Sequence, residues 1–136
     1  MKKTSSPHRP PLAGKRILVT HAKAFMAPVL CEVLVEQGAE VILSNDALLD
    51  PEAPGALVAS TGHIDILIAN LALAAPTTPA DKVADTEWRD MFAALVDPLP
   101  RLVRAVLPQM MARRSGKILV MGSASALRGM KRASTY

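Results

Sequence analysis

Arg16-Ile17-Leu18-Val19-Thr20-His21-Ala22-Lys23-Ala24-Phe25-Met26-Ala27 is the stretch whose reading decides the fold. A short, β-branched apolar run that ends on a polar residue reads as a buried strand. Val29, Leu30, Val33 and Leu34 then repeat at helical spacing, which predicts a helix from Ala27 to Gln37, stopped by Gly38. Strand, tight turn and helix in this order form the first half of a parallel crossover unit.

The pattern repeats outward. Glu40 to Ser44 is a second strand, and a loop with a short helix around Ala56-Leu57-Val58 follows. Ile64 to Asn70 is a third strand, apolar on both faces as a central parallel strand must be. Asp85 suits an N-cap for a helix starting near Thr86. Its apolar positions run to Met110, and Pro98 and Pro100 should kink it or break it in two. Gly116 is expected to end it, and Lys117 to Met121 is a fourth strand leading to a Gly/Ser loop. The alternation predicts an α/β fold with a parallel sheet, so a ligand site belongs at the carboxyl ends of the strands. Those ends are Thr20, Ser44-Asn45-Asp46, Asn70 and Gly122-Ser123.

The composition narrows the function. The 136 residues suit one domain, and 50% hydrophobic content is enough for a core. Four aromatics (Phe25, Trp88, Phe92 and Tyr136) cannot make a base-stacking platform. The net charge of +4 comes from the ends. Residues 1–16 hold five basic side chains and 128–136 hold three, both without an acid, whereas 17–127 carry a balance of −4. Charge placed that way speaks against nucleic acid as a partner. The single Cys31 excludes a disulfide scaffold and a cysteine-based metal site. No apolar run is long enough to span a bilayer, and the Ser/Pro-rich residues after Met1-Lys2-Lys3 do not continue a signal peptide, so a cytoplasmic protein is expected. Residues 1–12 read as a flexible, basic, Pro-rich tail ahead of a single domain over 13–136.

A dinucleotide site places glycines in the first turn so that the backbone can approach a diphosphate at a helix N-terminus. Thr20 to Ala27 contains none. Phe25 either fills the volume a diphosphate needs, leaving a pocket for something smaller, or packs inward as core. Asp46 stands where a ribose-binding acid sits in a dinucleotide enzyme and is equally suited to a turn. Ser123 can serve as a loop cap with Ser125 beside it. His21 and Lys23 suit a surface turn, His63 a position before a strand, and Cys31 an apolar filler.

Gly14-Lys15, the turn, Ile64 to Asn70, Trp88 to Met111 and Gly116 to Tyr136 together resemble the short-chain dehydrogenase/reductase superfamily over residues 14–136. The most specific match is the strand before Ser123 with Tyr136 thirteen residues later, the spacing of the superfamily's catalytic serine and tyrosine. The resemblance implies a Rossmann-like, three-layer α/β/α parallel sheet. The superfamily's three turn glycines fall at His21, Phe25 and Ala27, its Asn-Asn-Ala-Gly strand end is reduced to Asn70-Leu71-Ala72, and its helix asparagine aligns with Leu95.

These departures resemble one branch, the halohydrin dehalogenases, whose turn carries an aromatic where Phe25 stands. That likeness implies a small halohydrin substrate, Tyr136 as base, Ser123 holding the substrate oxygen, Phe25 and Ser123 lining a halide pocket, and no cofactor and no metal. An intramolecular displacement needs no redox partner. The tyrosine needs a neighbouring cation to lower a phenol pKa near 10. The alternatives are an NAD- or NADP-dependent oxidoreductase of alcohols or ketones with a degenerate glycine turn, and a non-catalytic fragment. Too few residues lie between Asn45 and Gly62 for the superfamily's helix–strand–helix, so one strand of the amino-terminal half is expected to be absent. The chain as written stops before the arginine or lysine expected four residues after Tyr136, so a truncated and inactive chain with its carboxyl-terminal strands and helices absent is expected. The superfamily's long helix, 86–113 here, implies a homo-oligomer.

Overall fold

The computed structural model describes residues 9–136. Its described residues form a four-stranded, wholly parallel sheet of β1 (Arg16–Val19), β2 (Glu40–Leu43), β3 (Ile66–Ala69) and β4 (Lys117–Val120), in the order β2-β1-β3-β4. The helices are α1 (Ala27–Glu36), α2 (Ala53–Thr61), α3 (Asp85–Leu95) and α4 (Pro98–Arg113).

Period-two alternation in the strands builds two cores. Leu18, Leu67 and Ala69 face one way and pack with Val58 of α2 and Leu102, Val106 and Met110 of α4. Ile17, Val19 and Ile68 face the other way, onto Ala27 and Cys31 of α1. Helices therefore cover both faces, and the fold is the expected Rossmann-like parallel α/β sheet. No strand forms among residues 44–52, so β2 is an edge strand, as the short Asn45–Gly62 interval predicted.

Several boundaries differ from expectation. The long helix does break at the prolines. Pro98 opens α4, where a missing N–H costs nothing. Asp85 does not cap α3; it is its first residue, Ala84 precedes it, and no side chain caps that end. Its carboxylate favours the helix N-terminus as a charge instead, and it lies 3.8 Å from the Arg89 guanidinium one turn on. Gly116 does not end α4. Arg114 takes the left-handed turn at φ +52°. Gly116 serves close packing instead, since a Cβ there would overlap the Met110 side chain. Gly38, at φ +86° just past α1, is the stop that was expected. Of the expected tail, residues 1–8 lie outside the described residues, while the Leu12 N–H donates to Gln37 O at 3.0 Å and its side chain packs on the second core.

Candidate active site

The carboxyl ends of β1 and β3 are tied together by buried polar groups. Thr20 and Asn70 are 0% and 1% exposed, and neither leaves a buried side-chain N or O atom without a hydrogen-bond partner. The Thr20 hydroxyl donates to Asn70 O at 3.1 Å and accepts from the Asn70 N–H at 3.0 Å. The Asn70 side-chain amide donates to His21 O at 3.0 Å and Ala24 O at 3.1 Å. One asparagine at the end of β3 thus holds the whole turn after β1. The sequence pointed to Asn70 as a strand end and left this clamp invisible.

The turn keeps a glycine-like backbone without glycines. His21 and Phe25 lie at φ +43° and +56°, two of the three non-glycine residues with positive φ among the described residues. Left-handed backbone costs an L-residue about 1–2 kcal/mol, so the Thr20–Asn70 network has to hold this shape. The His21 imidazole packs against the loop after β3, where Nδ1 accepts from the Ala72 N–H at 3.1 Å and lies 3.2 Å from Ala72 O. The Phe25 ring is not core. It is 63% exposed and borders a hollow.

Two hollows of about 160 Å³ each lie along this edge of the sheet. The first is walled by Phe25, Asn70, Leu95, Ser123 and Tyr136. The second is walled by His21, Ala47, Leu48, Leu49 and Ala94, and Ala72 and Leu73 border both. The structure thus brings Ser123, Tyr136, Phe25 and Asn70 together and places His21 at the neighbouring hollow. Thr20 lies beneath as a buried anchor, and Ala27 is buried in α1 as core. Leu95, where the superfamily places an asparagine, supplies an apolar wall.

Ser123 caps as well as lines. Its Oγ accepts from the Ser125 N–H at 3.1 Å, at the start of a 3-10 turn over Ala124–Leu127, and bonds the Ser125 hydroxyl at 3.0 Å. Asp46 accepts from the Ser44 hydroxyl at 2.9 Å beside the second hollow. Lys23 bonds through its backbone N–H to Asn45 Oδ1 and has an exposed side chain. His63 pairs with Asp65 at 2.9 Å at the opposite end of the strands. Cys31 is buried and free, and burial pushes its thiol pKa up. Among the described residues no three His, Cys, Asp or Glu side chains are grouped to hold a metal.

The arrangement fits a dinucleotide in two pieces. Each hollow has room for one ring system, and the turn between them presents a helix N-terminus. His21 and Phe25 each put a Cβ where a glycine turn is bare, so the linking diphosphate would cross outside those atoms.

The fold is a parallel α/β sheet in which Ser123 and Tyr136 share one hollow at the carboxyl edge. The family model described as short chain dehydrogenase matches residues 51–136, and the chain belongs to that family. The chain is 28% identical over 150 residues to the 3-oxoacyl-acyl-carrier-protein reductase FabG of Vibrio harveyi, covering 92% of this chain and 61% of the relative. It is 33% identical over 112 residues to the NADP-dependent 3-hydroxy acid dehydrogenase YdfG of Salmonella typhi, covering 81% of this chain and 45% of that protein. Among solved structures, a dehalogenation enzyme superposes with a TM-score of 0.82 at 27% identity, over 91% of this chain and 60% of that one. The chain spans about three fifths of the length of the first of these relatives.

These relatives correct one expectation. A coenzyme-free site was expected from the glycine-less turn, yet similar proteins are dehydrogenases whose names specify NADP. The physical reason lies in the turn. Without glycines the backbone still keeps its left-handed shape, and the Phe25 ring stands exposed at the rim of the hollow rather than closing it. No helix of the described residues is long and apolar enough to cross a membrane.

Proposed function

We propose that this chain forms the coenzyme and catalytic part of an NAD(P)-dependent oxidoreductase acting on an alcohol or ketone. The observation that carries this reading is the common hollow of Ser123 and Tyr136 at the carboxyl edge of a parallel sheet, beside a turn that keeps a glycine-like backbone. When bound, the coenzyme supplies or accepts a hydride. Ser123 Oγ orients the substrate oxygen, and the Tyr136 phenol gives or takes the proton at that oxygen. Leu95 and Leu71 keep that end of the hollow apolar. His21 and the Asn70-held turn lie under the diphosphate, and the hollow by Leu48 takes the adenosine end.

Asp46, at the end of β2, sets the coenzyme choice. A carboxylate there accepts from a ribose 2′-hydroxyl and repels a 2′-phosphate, so NAD is favoured over NADP. The relatives' names put a 3-oxoacyl thioester and a 3-hydroxy acid first among substrates to try. A second copy packs along α3 and α4 in this proposal, on the exposed row Trp88, Phe92 and Val96. A reducing cytoplasmic setting suits the free, buried Cys31.

The test is NADH and NADPH titration followed by reduction of a 3-oxoacyl thioester. Saturable binding with NADH the tighter ligand is expected. The dehalogenase branch has Phe25 and the dehalogenation enzyme's likeness on its side. Halide release from a chlorohydrin with no coenzyme binding would reverse the choice.

A further inference from the structure

Glu87 stands in the first turn of α3, half-buried, and both its carboxylate oxygens are bonded to hydroxyls. Thr135 Oγ1 donates to Oε1 at 2.8 Å, and Thr78 Oγ1 donates to Oε2 at 2.6 Å. No basic side chain among the described residues pairs with it. An ionised acceptor that meets two neutral donors makes short, strong, directional bonds, and it fixes the geometry of both.

The two donors belong to the two segments that wall the first hollow. Thr135 directly precedes Tyr136. Thr78 lies on the same long loop as Leu71, Ala72 and Leu73. Beyond Met121, whose N–H closes the ladder onto Ala69 O, the chain makes its own local turns. The Arg128 N–H bonds Ser125 O, and the Tyr136 N–H bonds Ala133 O. Among the described residues, Thr135 to Glu87 is the one hydrogen bond that joins residues 122–136 to another part of the molecule.

We infer that Glu87 is a positioning residue for Tyr136. It holds the tyrosine's segment and the opposite wall to one point on α3, so the phenol faces the hollow at a fixed distance from Ser123. A first-turn acid that only favours the helix N-terminus would need neither threonine. The inference rests on the oxidoreductase reading only in calling Tyr136 the proton-transfer group.

Tyr136 is the chain's one tyrosine and Trp88 its one tryptophan, so fluorine labels report each without assignment. With 3-fluorotyrosine incorporated, the intact chain and Thr135→Ser are expected to share one 19F shift, distinct from that of the denatured chain. Glu87→Ala and Thr135→Val should move the signal to the denatured position. A 5-fluorotryptophan signal from Trp88 shows whether α3 survives Glu87→Ala. If it does not, Thr135→Val, which leaves α3 unaltered, decides. An unchanged Tyr136 shift in Thr135→Val overturns the inference. In the 3-oxoacyl assay, Glu87→Ala should lower kcat at least tenfold with the NADH Kd within twofold. If the unaltered chain shows no turnover or coenzyme binding while the 19F shifts behave as stated, the oxidoreductase reading fails and the positioning role stands.

Discussion

Replacing Phe25 with glycine removes an aromatic ring from the turn under the proposed coenzyme site and asks nothing new of the backbone. Phe25 sits at φ +56°, which costs an L-residue about 1–2 kcal/mol and glycine nothing. Glycine adds freedom to the unfolded chain worth about 0.5–1 kcal/mol. The ring is 63% exposed. The covered remainder is roughly 70 Å², so its loss costs about 2 kcal/mol at about 25 cal/mol per Å². These terms leave a destabilisation of about 1 kcal/mol, which lowers Tm by a few degrees and keeps the fold. Coenzyme binding should change far more. With the ring gone, a diphosphate can approach the backbone N–H groups at the start of α1, and one charge-assisted bond contributes about 1.5–3 kcal/mol. Phe25→Gly should therefore tighten NADH binding by at least about tenfold, or about 1.4 kcal/mol, in isothermal titration calorimetry. Unchanged or weaker binding by a variant whose thermal unfolding stays cooperative would refute the claim that the turn is a modified dinucleotide turn.

Three further outcomes follow from the packing and charges. Gly116→Ala should lower stability by about 1–3 kcal/mol in urea titration, because the new Cβ displaces the buried Met110 side chain; a change under about 0.5 kcal/mol would show that Met110 yields freely. Burial raises the Asp65 carboxyl pKa, but the Arg16 N–H, the His63 ring and the Lys15 charge together hold it below the ordinary value. A depressed carboxyl pKa gives stability that is present above the unfolded value near 4 and is lost as pH falls through the folded one. Asp65→Asn should then lower Tm at pH 7 and flatten the fall between pH 5 and pH 2, and parallel acid limbs in thermal melts would count against it. Trp88→Asp should shift the chain towards monomer in sedimentation velocity, since Trp88 and Phe92 stack at 4.8 Å on an exposed face. An unaltered sedimentation coefficient would remove α3 from the interface.

Much of this molecule was legible because apolar periodicity survives in a single sequence. Every strand came within two residues of its observed bounds, and the break at Pro98 follows from the missing N–H. The parallel sheet followed from the strand–helix alternation, and the short Asn45–Gly62 interval pointed to the absent strand, while the order β2-β1-β3-β4 came from the structure alone. The misses share a cause. Asp85, Gly116 and the glycine-less turn were assigned from residue type, while the outcome depended on what stood nearby in space. Asp85 had a better place inside the helix. Gly116 faced Met110 rather than a helix end. Phe25 stands exposed at the rim of a hollow rather than in the core. Glu87 was invisible because its partners lie 9 and 48 residues away, and no spacing rule links a first-turn acid to two distant threonines. Ser123 and Tyr136 could be picked out as a pair only through the family resemblance, and the structure adds that they share one hollow with Phe25.

The central claim is that this edge of the sheet holds a nicotinamide coenzyme. Calorimetric titration of the unaltered chain with NADH tests it most directly. One-to-one saturation is predicted, weakened by an added Asp46→Ala change. A flat titration, from folded protein that frees halide from a chlorohydrin, would contradict it.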